Sequence, residues 1–443
     1  MASSAKPACE IVSWRFSRRV LFRFVFCYLA LYLITQDGLI GFIPGSSAIS
    51  SVISSGWSKL LPWFAIHVVR LSGSAASVYV PGADTLLGYV MYVFLLLTAA
   101  IATLAWSLGD SKRRNYAALD SWLRLAVCYY LIYWMLRFGI NKVIPLQFVF
   151  PNLNELLTPV GFHSLRNLFW ALMGASPGYV MFCGATEVLA ALLLIFKRTR
   201  TLGAIVTAAV LTNVVAVNYG YDVGVKLFSS HLLLMAIFLV APHGRTLADV
   251  FIRNQAARIS EADPFESRHP FVRMGAMCAK VILLGFLIFD ITAWNWKNYK
   301  RTLAFATDTP VYGIFEVEGF TRNGQEVPPT ATDGSRWRKV ILQTPTGVVV
   351  QLMTDAGVFY PAKYNVSSHT LALLGERPYR NGNWGATDKS KTGTFLYSQP
   401  DKDHLVFDGS VGADLLSIRL SRIDLADFPL LRQRFSWIHE RSQ

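Results

Sequence analysis

Seven apolar stretches approach the roughly 20 residues needed to cross a hydrocarbon core. They lie near residues 20 to 42, 86 to 107, 122 to 141, 177 to 196, 201 to 218, 224 to 241 and 274 to 294. Lipid offers no hydrogen-bond partner to a bare backbone, so each stretch is expected to be a helix. Composition agrees: 53% of the chain is hydrophobic and only 16% charged, whereas soluble domains carry about a quarter charged residues. The expectation is an α-helical polytopic membrane domain over residues 1 to 301, followed by an external β-rich domain over residues 302 to 443.

The net charge of +14 sits entirely in the first part, where residues 1 to 301 hold 27 Lys and Arg against 13 Asp and Glu, while residues 302 to 443 hold 15 of each. A nucleic-acid partner is not what this distribution implies. With the N-terminus inside, the inner segments carry 16 Lys and Arg and the outer loops before the last span carry 5, the asymmetry of the positive-inside rule. The expected location is a bacterial inner membrane, multi-pass, with the N-terminus cytoplasmic and the C-terminal domain periplasmic or extracellular. Against this orientation, Lys297, Lys300 and Arg301 follow the last span. The basic N-terminus leads into a full-length apolar stretch without a small-residue cleavage site, so a retained anchor is expected. Cys9, Cys27, Cys128, Cys183 and Cys278 all precede the C-terminal domain, and their spacing suits neither disulfide stapling nor a zinc site. His369, His404 and His439 likewise show no metal spacing.

Between the spans, Trp57 to Leu71 has helical apolar spacing and is expected to form an amphipathic helix on the outer surface. Leu165 to Met173 is expected to form a second short helix. From Val311 the pattern changes to short strands separated by turns. These are Tyr312 to Phe320, Trp337 to Gln343, Val348 to Met353, Val358 to Tyr364, Thr370 to Leu374, Thr394 to Ser398, His404 to Asp408 and Leu415 to Ser421. Eight strands favour a closed antiparallel barrel, because closure removes exposed edges. Such a barrel is either filled by side chains or holds one small ligand.

Glu187 lies within the apolar run Tyr179 to Phe196, and neighbouring segments supply Arg137, Asn141, Lys142, Asn213, Asn218, Asp222, Lys226 and His231. Ionisable groups at bilayer depth are costly and mark pathways, sites or internal pairs. At about 1.5 Å rise per residue, Arg137 falls roughly 6 Å from the outer end of its span, Asn213 about 8 Å, His231 about 10 Å and Glu187 about 15 Å. Lys142, Asn218, Asp222 and Lys226 fall at the rim. One outward-facing polar cavity would accommodate the whole set. The alternative is that Glu187 pairs with Arg137 or His231 to fix helix packing. For Asp222 and Lys226, four residues apart, an i,i+4 rim ion pair is expected.

Gly139 to Lys142 (GINK), Pro159 to Gly161, Gly184 to Phe196 (GATEVLAALLLIF) and Thr199 to Gly203 (TRTLG) together resemble the DoxX membrane family, over about residues 122 to 245. The resemblance implies a four-helix membrane core. It implies roles for Lys142, Glu187 and Arg200, which occupy the family's helix-end Lys, helical Glu and post-helix Arg. The family's namesake is a subunit of a thiosulfate:quinone oxidoreductase, but the three extra spans and the β-domain keep that activity from being transferred. Gly313 to Phe320 (GIFEVEGF), with Trp337 opening the next strand, is similar to lipocalin-like barrels.

Three functions remain open on the sequence. In the first, the cavity binds a quinone-like or other small amphiphile within a redox system; Glu187 and His231 would handle protons as the catalytic pair, and Arg137, Asn141, Lys142, Asn213, Asn218, Asp222 and Lys226 would bind the ligand. In the second, a non-enzymatic anchor presents the barrel to a periplasmic protein partner or to membrane lipid. In the third, the chain transports a small solute, although no inverted repeat supports this.

Overall fold

The computed structural model describes residues 13–35, 40, 45, 47–71, 80–110, 112–257, 270–380 and 383–432. Cys9, His439 and most of the far end of the first apolar stretch lie outside them. Contacts divide the chain into two compact units, Met1–Val143 with Phe182–Trp294, and Ile144–Met181 with Asn295–Gln443. Chain order had assigned Ile144–Met181 to the membrane domain; its contacts group it with the barrel.

The helices in chain order are α1 (Phe16–Thr35), α2 (Ser47–His67), α3 (Leu86–Gly109), α4 (Ala117–Val143), α5 (Leu153–Leu157), α6 (Leu165–Gly174), α7 (Pro177–Ile195), α8 (Arg200–Gly220), α9 (Lys226–Val240), α10 (Gly244–Phe251), α11 (Pro270–Asp308) and α12 (Pro429–Arg432). Among the described residues, six helical stretches are long and apolar enough to cross a membrane: α3, α4, α7, α8, α9 continued through α10, and α11. The seventh expected stretch forms α1, but Arg18, Arg19 and Arg23 lie within its 20 residues and take it out of that class. Helix α2 covers most of the stretch expected to form an amphipathic helix, but it is apolar on both sides there, burying Leu61, Phe64 and Ala65 while Leu60, Trp63 and Ile66 are exposed.

In the first unit, the N-terminal end of α9 is held from a distant part of the sequence. The Asp84 carboxylate accepts hydrogen bonds from Lys226 N (2.6 Å) and Leu227 N (3.2 Å), satisfying two of the amides that a helix start leaves open. At the other end of α7, the Lys280 ammonium donates to the Ile195 carbonyl, where a cation complements the helix dipole.

The second unit contains a closed antiparallel barrel of eight strands: β1 (Gly313–Arg322), β2 (Trp337–Thr344), β3 (Gly347–Leu352), β4 (Gly357–Asn365), β5 (Thr370–Arg380), β6 (Asp388–Ser398), β7 (His404–Val411) and β8 (Asp414–Ile423). Each strand pairs with the next, and β8 returns to β1 with Ile314 opposite Ile423 and Arg322 opposite Leu416. Two-residue strands, Gln325–Glu326 and Asn383–Trp384, extend β1 and β5. All eight strands expected from the sequence are present. Side chains alternate across a strand, so Phe315, Val340, Leu342, Val348 and Val350 enter the barrel with Phe320, Trp337, Phe395 and Phe407. This aromatic core packs the interior, and a recess of about 170 Å³ among the same strands is bordered by Phe320, Trp337 and Tyr360 with Arg322 and Glu376. The opposite parity, Ile314, Ile341 and Val349, forms a second buried cluster on the outer wall with Leu153 of α5.

Candidate functional site

Helices α4 and α7 meet at two glycines. A methyl group on Gly139 would lie 2.9 Å from the Gly184 carbonyl oxygen, and one on Gly184 would lie 2.6 Å from the Gly139 carbonyl oxygen. Only residues without a side chain permit that approach, the role small residues play between membrane helices. Three residues after each glycine stand Lys142 and Glu187. The close crossing brings them together: Lys142 Nζ donates to both carboxylate oxygens of Glu187 at 2.8 Å. Both are buried, at 8% and 4% exposure.

This corrects two expectations. Glu187 is paired with Lys142 instead of Arg137 or His231, and Lys142 is enclosed instead of standing at a rim. The reason is the glycine crossing, which draws the end of α4 against the body of α7.

The other candidates fall into separate contacts. His231 Nδ1 lies 2.7 Å from the Leu227 carbonyl and Nε2 lies 2.6 Å from the Tyr28 hydroxyl. A carbonyl only accepts, so Nδ1 carries the proton, and in the neutral ring Nε2 accepts from Tyr28. Tyr32 and Tyr92 stack on the imidazole at centroid distances of 4.6 and 4.8 Å. Arg137 is exposed and donates to the Tyr133 hydroxyl one turn back on its own helix. Asn218 is buried, donating to Ser229 Oγ between α8 and α9. Asp222 and Lys226 form the expected i,i+4 pair at 2.6 Å. Asn141 is half-buried, Asn213 is exposed, and Arg200 opens α8. The set that depth alone assigned to one cavity is thus distributed over several helix contacts.

Sequence reasoning passed over Arg23, whose guanidinium is buried and donates to the Tyr116 hydroxyl, Ser107 Oγ and the Asp110 carbonyl. It also passed over a cleft in the second unit. Helix α5 opens with a capping box: Asn152 Oδ1 accepts from Glu155 N at 3.1 Å, and Glu155 Oε2 accepts from Asn152 N at 3.2 Å. Leu153 and the partly buried Leu156 and Leu157 press on the outer wall cluster of the barrel. Asn154 N donates to Gln343 Oε1 (3.2 Å), and Asn167 Nδ2 donates to the Tyr379 hydroxyl (3.1 Å).

These contacts leave a cavity of about 320 Å³ bordered by Asn152, Glu155, His163, Arg166, Gln343 and the rings of Phe359, Tyr379 and Trp384. A smaller recess of about 140 Å³ shares Asn154, Thr158, Tyr379 and Trp384 and is otherwise mostly apolar, with Leu157, Phe162 and Ile341. Burial pushes the Glu155 carboxyl above the usual carboxylate range, against the opposing pull of its capping bond and of nearby His163. His163 Nδ1 is enclosed with no hydrogen-bond partner among the described residues. A sequence signal was available: Ile314, Ile341 and Val349 each place one apolar residue on the otherwise polar outward parity of β1 to β3, a local patch that calls for a cover on the outside of the barrel.

Among the described residues, no group of three or more His, Cys, Asp or Glu could hold a metal ion. The fold and these contacts define a multi-pass membrane protein whose C-terminal part is a closed β-barrel with an aromatic core and a partly covered outer wall. Over 116 residues the chain is 34% identical to a Bacillus subtilis (strain 168) protein described as "Uncharacterized protein YwoB", a match covering 26% of this chain and 72% of that protein. The chain belongs to the family of that protein. No family model matches the chain, and no solved structure matches it.

Proposed function

We propose that the chain is a membrane-anchored binding protein, in which the helices fix it in the bacterial inner membrane and the outer wall of the barrel, with Ile144–Met181, offers a ligand cleft on the periplasmic or extracellular side. The observation that carries this reading is the difference in how polar groups are used. Glu187 and Lys142 satisfy one another at a close helix crossing, whereas Glu155, His163 and Arg166 border an open cavity. Concave sites with a few convergent polar groups and aromatic walls are where small molecules bind. Residues 122 to 245, if DoxX-like, then act as scaffold, with Lys142 and Glu187 as its clasp.

A second reading keeps a quinone-like or other small amphiphile in the membrane half, with its head group at the Tyr28–His231 contact; the imidazole bonded to Tyr28 and packed against the rings of Tyr32 and Tyr92 favours it. Mass spectrometry of small molecules that copurify with the full chain separates the two. The binding reading expects a ligand that is lost on Arg166→Ala and kept on His231→Gln. Copurifying quinone that is lost on His231→Gln and kept on Arg166→Ala overturns it.

A further inference from the structure

The cleft between α5, α6 and the barrel wall has a lining specific enough to name a ligand class, and this step rests on the proposal that the cleft is the binding site. We infer that it binds a saccharide unit.

Trp384 offers an indole face braced by two tilted rings as a ledge, with centroids 4.8 Å from Tyr379 at 59° and 5.6 Å from Phe359 at 48°. Aromatic faces carry negative charge density. The axial C–H bonds on one face of a pyranose present a flat, weakly positive surface that suits such a ledge. Facing the ledge are planar groups: the amides of Asn152 and Gln343, the Glu155 carboxylate and the Arg166 guanidinium. Asn152, Glu155 and Gln343 each spend one oxygen within the protein, and what they keep for a ligand is the amide nitrogens of Asn152 and Gln343 and the second carboxylate oxygen of Glu155, a mix of donors and acceptor that suits the hydroxyls of a sugar ring. The cavity, at about 320 Å³, is at the small end of the roughly 300–1,000 Å³ of ligand pockets.

Charge selects against the main competitor. An inorganic or phosphoryl anion would find Arg166, but it would share the cavity with Glu155, and a carboxylate repels an anion. A hydroxyl-rich neutral ring meets no such conflict, since each hydroxyl donates to the carboxylate as readily as it accepts from the guanidinium. A purely apolar ligand would leave this lining unpaired, which costs more than the apolar contact returns. The neighbouring apolar recess beside Trp384 suits an apolar substituent on the sugar, so the unit could arrive free or as the head of a glycolipid.

The test uses the full chain in lipid nanodiscs prepared without glycoside detergents. Saturation-transfer NMR and tryptophan fluorescence are recorded with methyl glucoside, cellobiose, chitobiose and octyl glucoside, and with inorganic phosphate. At least one sugar should receive transfer at its ring protons, weakened about tenfold or more in Trp384→Ala and retained in Trp384→Phe. Glu155→Gln, which keeps the capping box, provides an independent variant should Trp384→Ala fail to fold; it should weaken the same sugar several-fold. Stronger binding of octyl glucoside than methyl glucoside indicates a glycolipid head, and equal binding indicates a free sugar. The inference is overturned if no sugar in the panel binds, or if binding is unchanged in both Trp384→Ala and Glu155→Gln. Phosphate binding that depends on Arg166, with no sugar binding, overturns the saccharide assignment and leaves the cleft as the site. Failure of the cleft itself is read separately, from copurifying ligand that survives Arg166→Ala.

Discussion

Glu187 and Glu155 are both glutamates drawn out of water, and they end in opposite situations. Glu187 sits in an apolar helix and meets a lysine with both oxygens. Glu155 sits in a five-residue helix whose leucines face the barrel wall, spends one oxygen on its own cap and borders an open cavity. A charge that stands out against apolar sequence has a strong reason to be paired, because an unpaired one is too expensive. A charge in a short segment between spans attracts no notice and is under no such compulsion. Conspicuousness in sequence therefore points to the clasp, and the cleft is found only once the barrel wall is in place.

The largest expected effect tests the clasp. Removing one partner leaves the other charge buried alone, which costs about 3–5 kcal/mol. Glu187→Ala and Lys142→Ala should each lower the melting temperature of the purified protein sharply, and the double variant Lys142→Met with Glu187→Leu should recover most of the loss. An unchanged melting temperature in both single variants would mean the pair does not hold α4 and α7 together. Gly184→Val probes the same crossing without touching charge. The valine would enter a space where a methyl already lies 2.6 Å from a backbone oxygen, an overpacking worth about 1–3 kcal/mol or more.

The next effect tests the cover on the barrel. Leu153 is 4% exposed against Ile314, Ile341 and Val349, so Leu153→Ala should cost about 2–5 kcal/mol. The loss should appear as faster protease cleavage within residues 144 to 181 while the barrel strands remain protected. Equal protection of that segment in wild type and variant would separate α5 from the wall and remove one side of the cleft. Smaller still is the contrast around the start of α9. Asp84→Ala removes a side-chain cap worth about 0.5–2 kcal/mol, whereas Asp222→Ala breaks a pair whose carboxylate is 79% exposed and should cost under about 1 kcal/mol. Thermal melts that rank them in reverse would make the exposed pair the true anchor of that turn.

What could be read from the chain follows the same division. Apolar length fixes spanning helices almost alone, and strand alternation fixed all eight strands of the barrel, because both patterns are local and imposed by burial. Among the described residues, α1 falls outside the spanning helices because it carries Arg18, Arg19 and Arg23; that burden is visible in the sequence, but the partners of Arg23, Tyr116 and Asp110, lie about ninety residues away. Depth along a helix was computable for Arg137, Asn213 and His231; the face each occupies was not, because rotation is set by packing between helices. Gly139 and Gly184 were quoted for their resemblance to a family, and their spacing to Lys142 and Glu187, three residues in both cases, already held the crossing. The cleft required knowing that Asn152 to Asn167 folds over β2 to β5, a contact spanning some two hundred residues.

The smallest effect distinguishes the two glutamates by pH. Burial raises the Glu155 carboxyl above its ordinary range, so the folded chain holds that proton more tightly than the unfolded chain. Where the folded state binds more protons, stability falls as pH rises. The contribution is therefore present in full below the unfolded carboxylate value, near 4.3, and is lost as pH climbs through the raised folded value. Glu155→Gln keeps the capping box, since glutamine serves at that position as well as glutamate, and it cannot ionise. The variant should match wild type at low pH and become slightly more stable than wild type toward neutral pH, by about 1 kcal/mol or less for a group of this partial exposure. Melting curves taken from pH 4 to 8 should then converge on the acid side and part on the neutral side. Curves that instead part only on the acid side would show Glu155 to be stabilised in its charged form and would take away its part in the cleft.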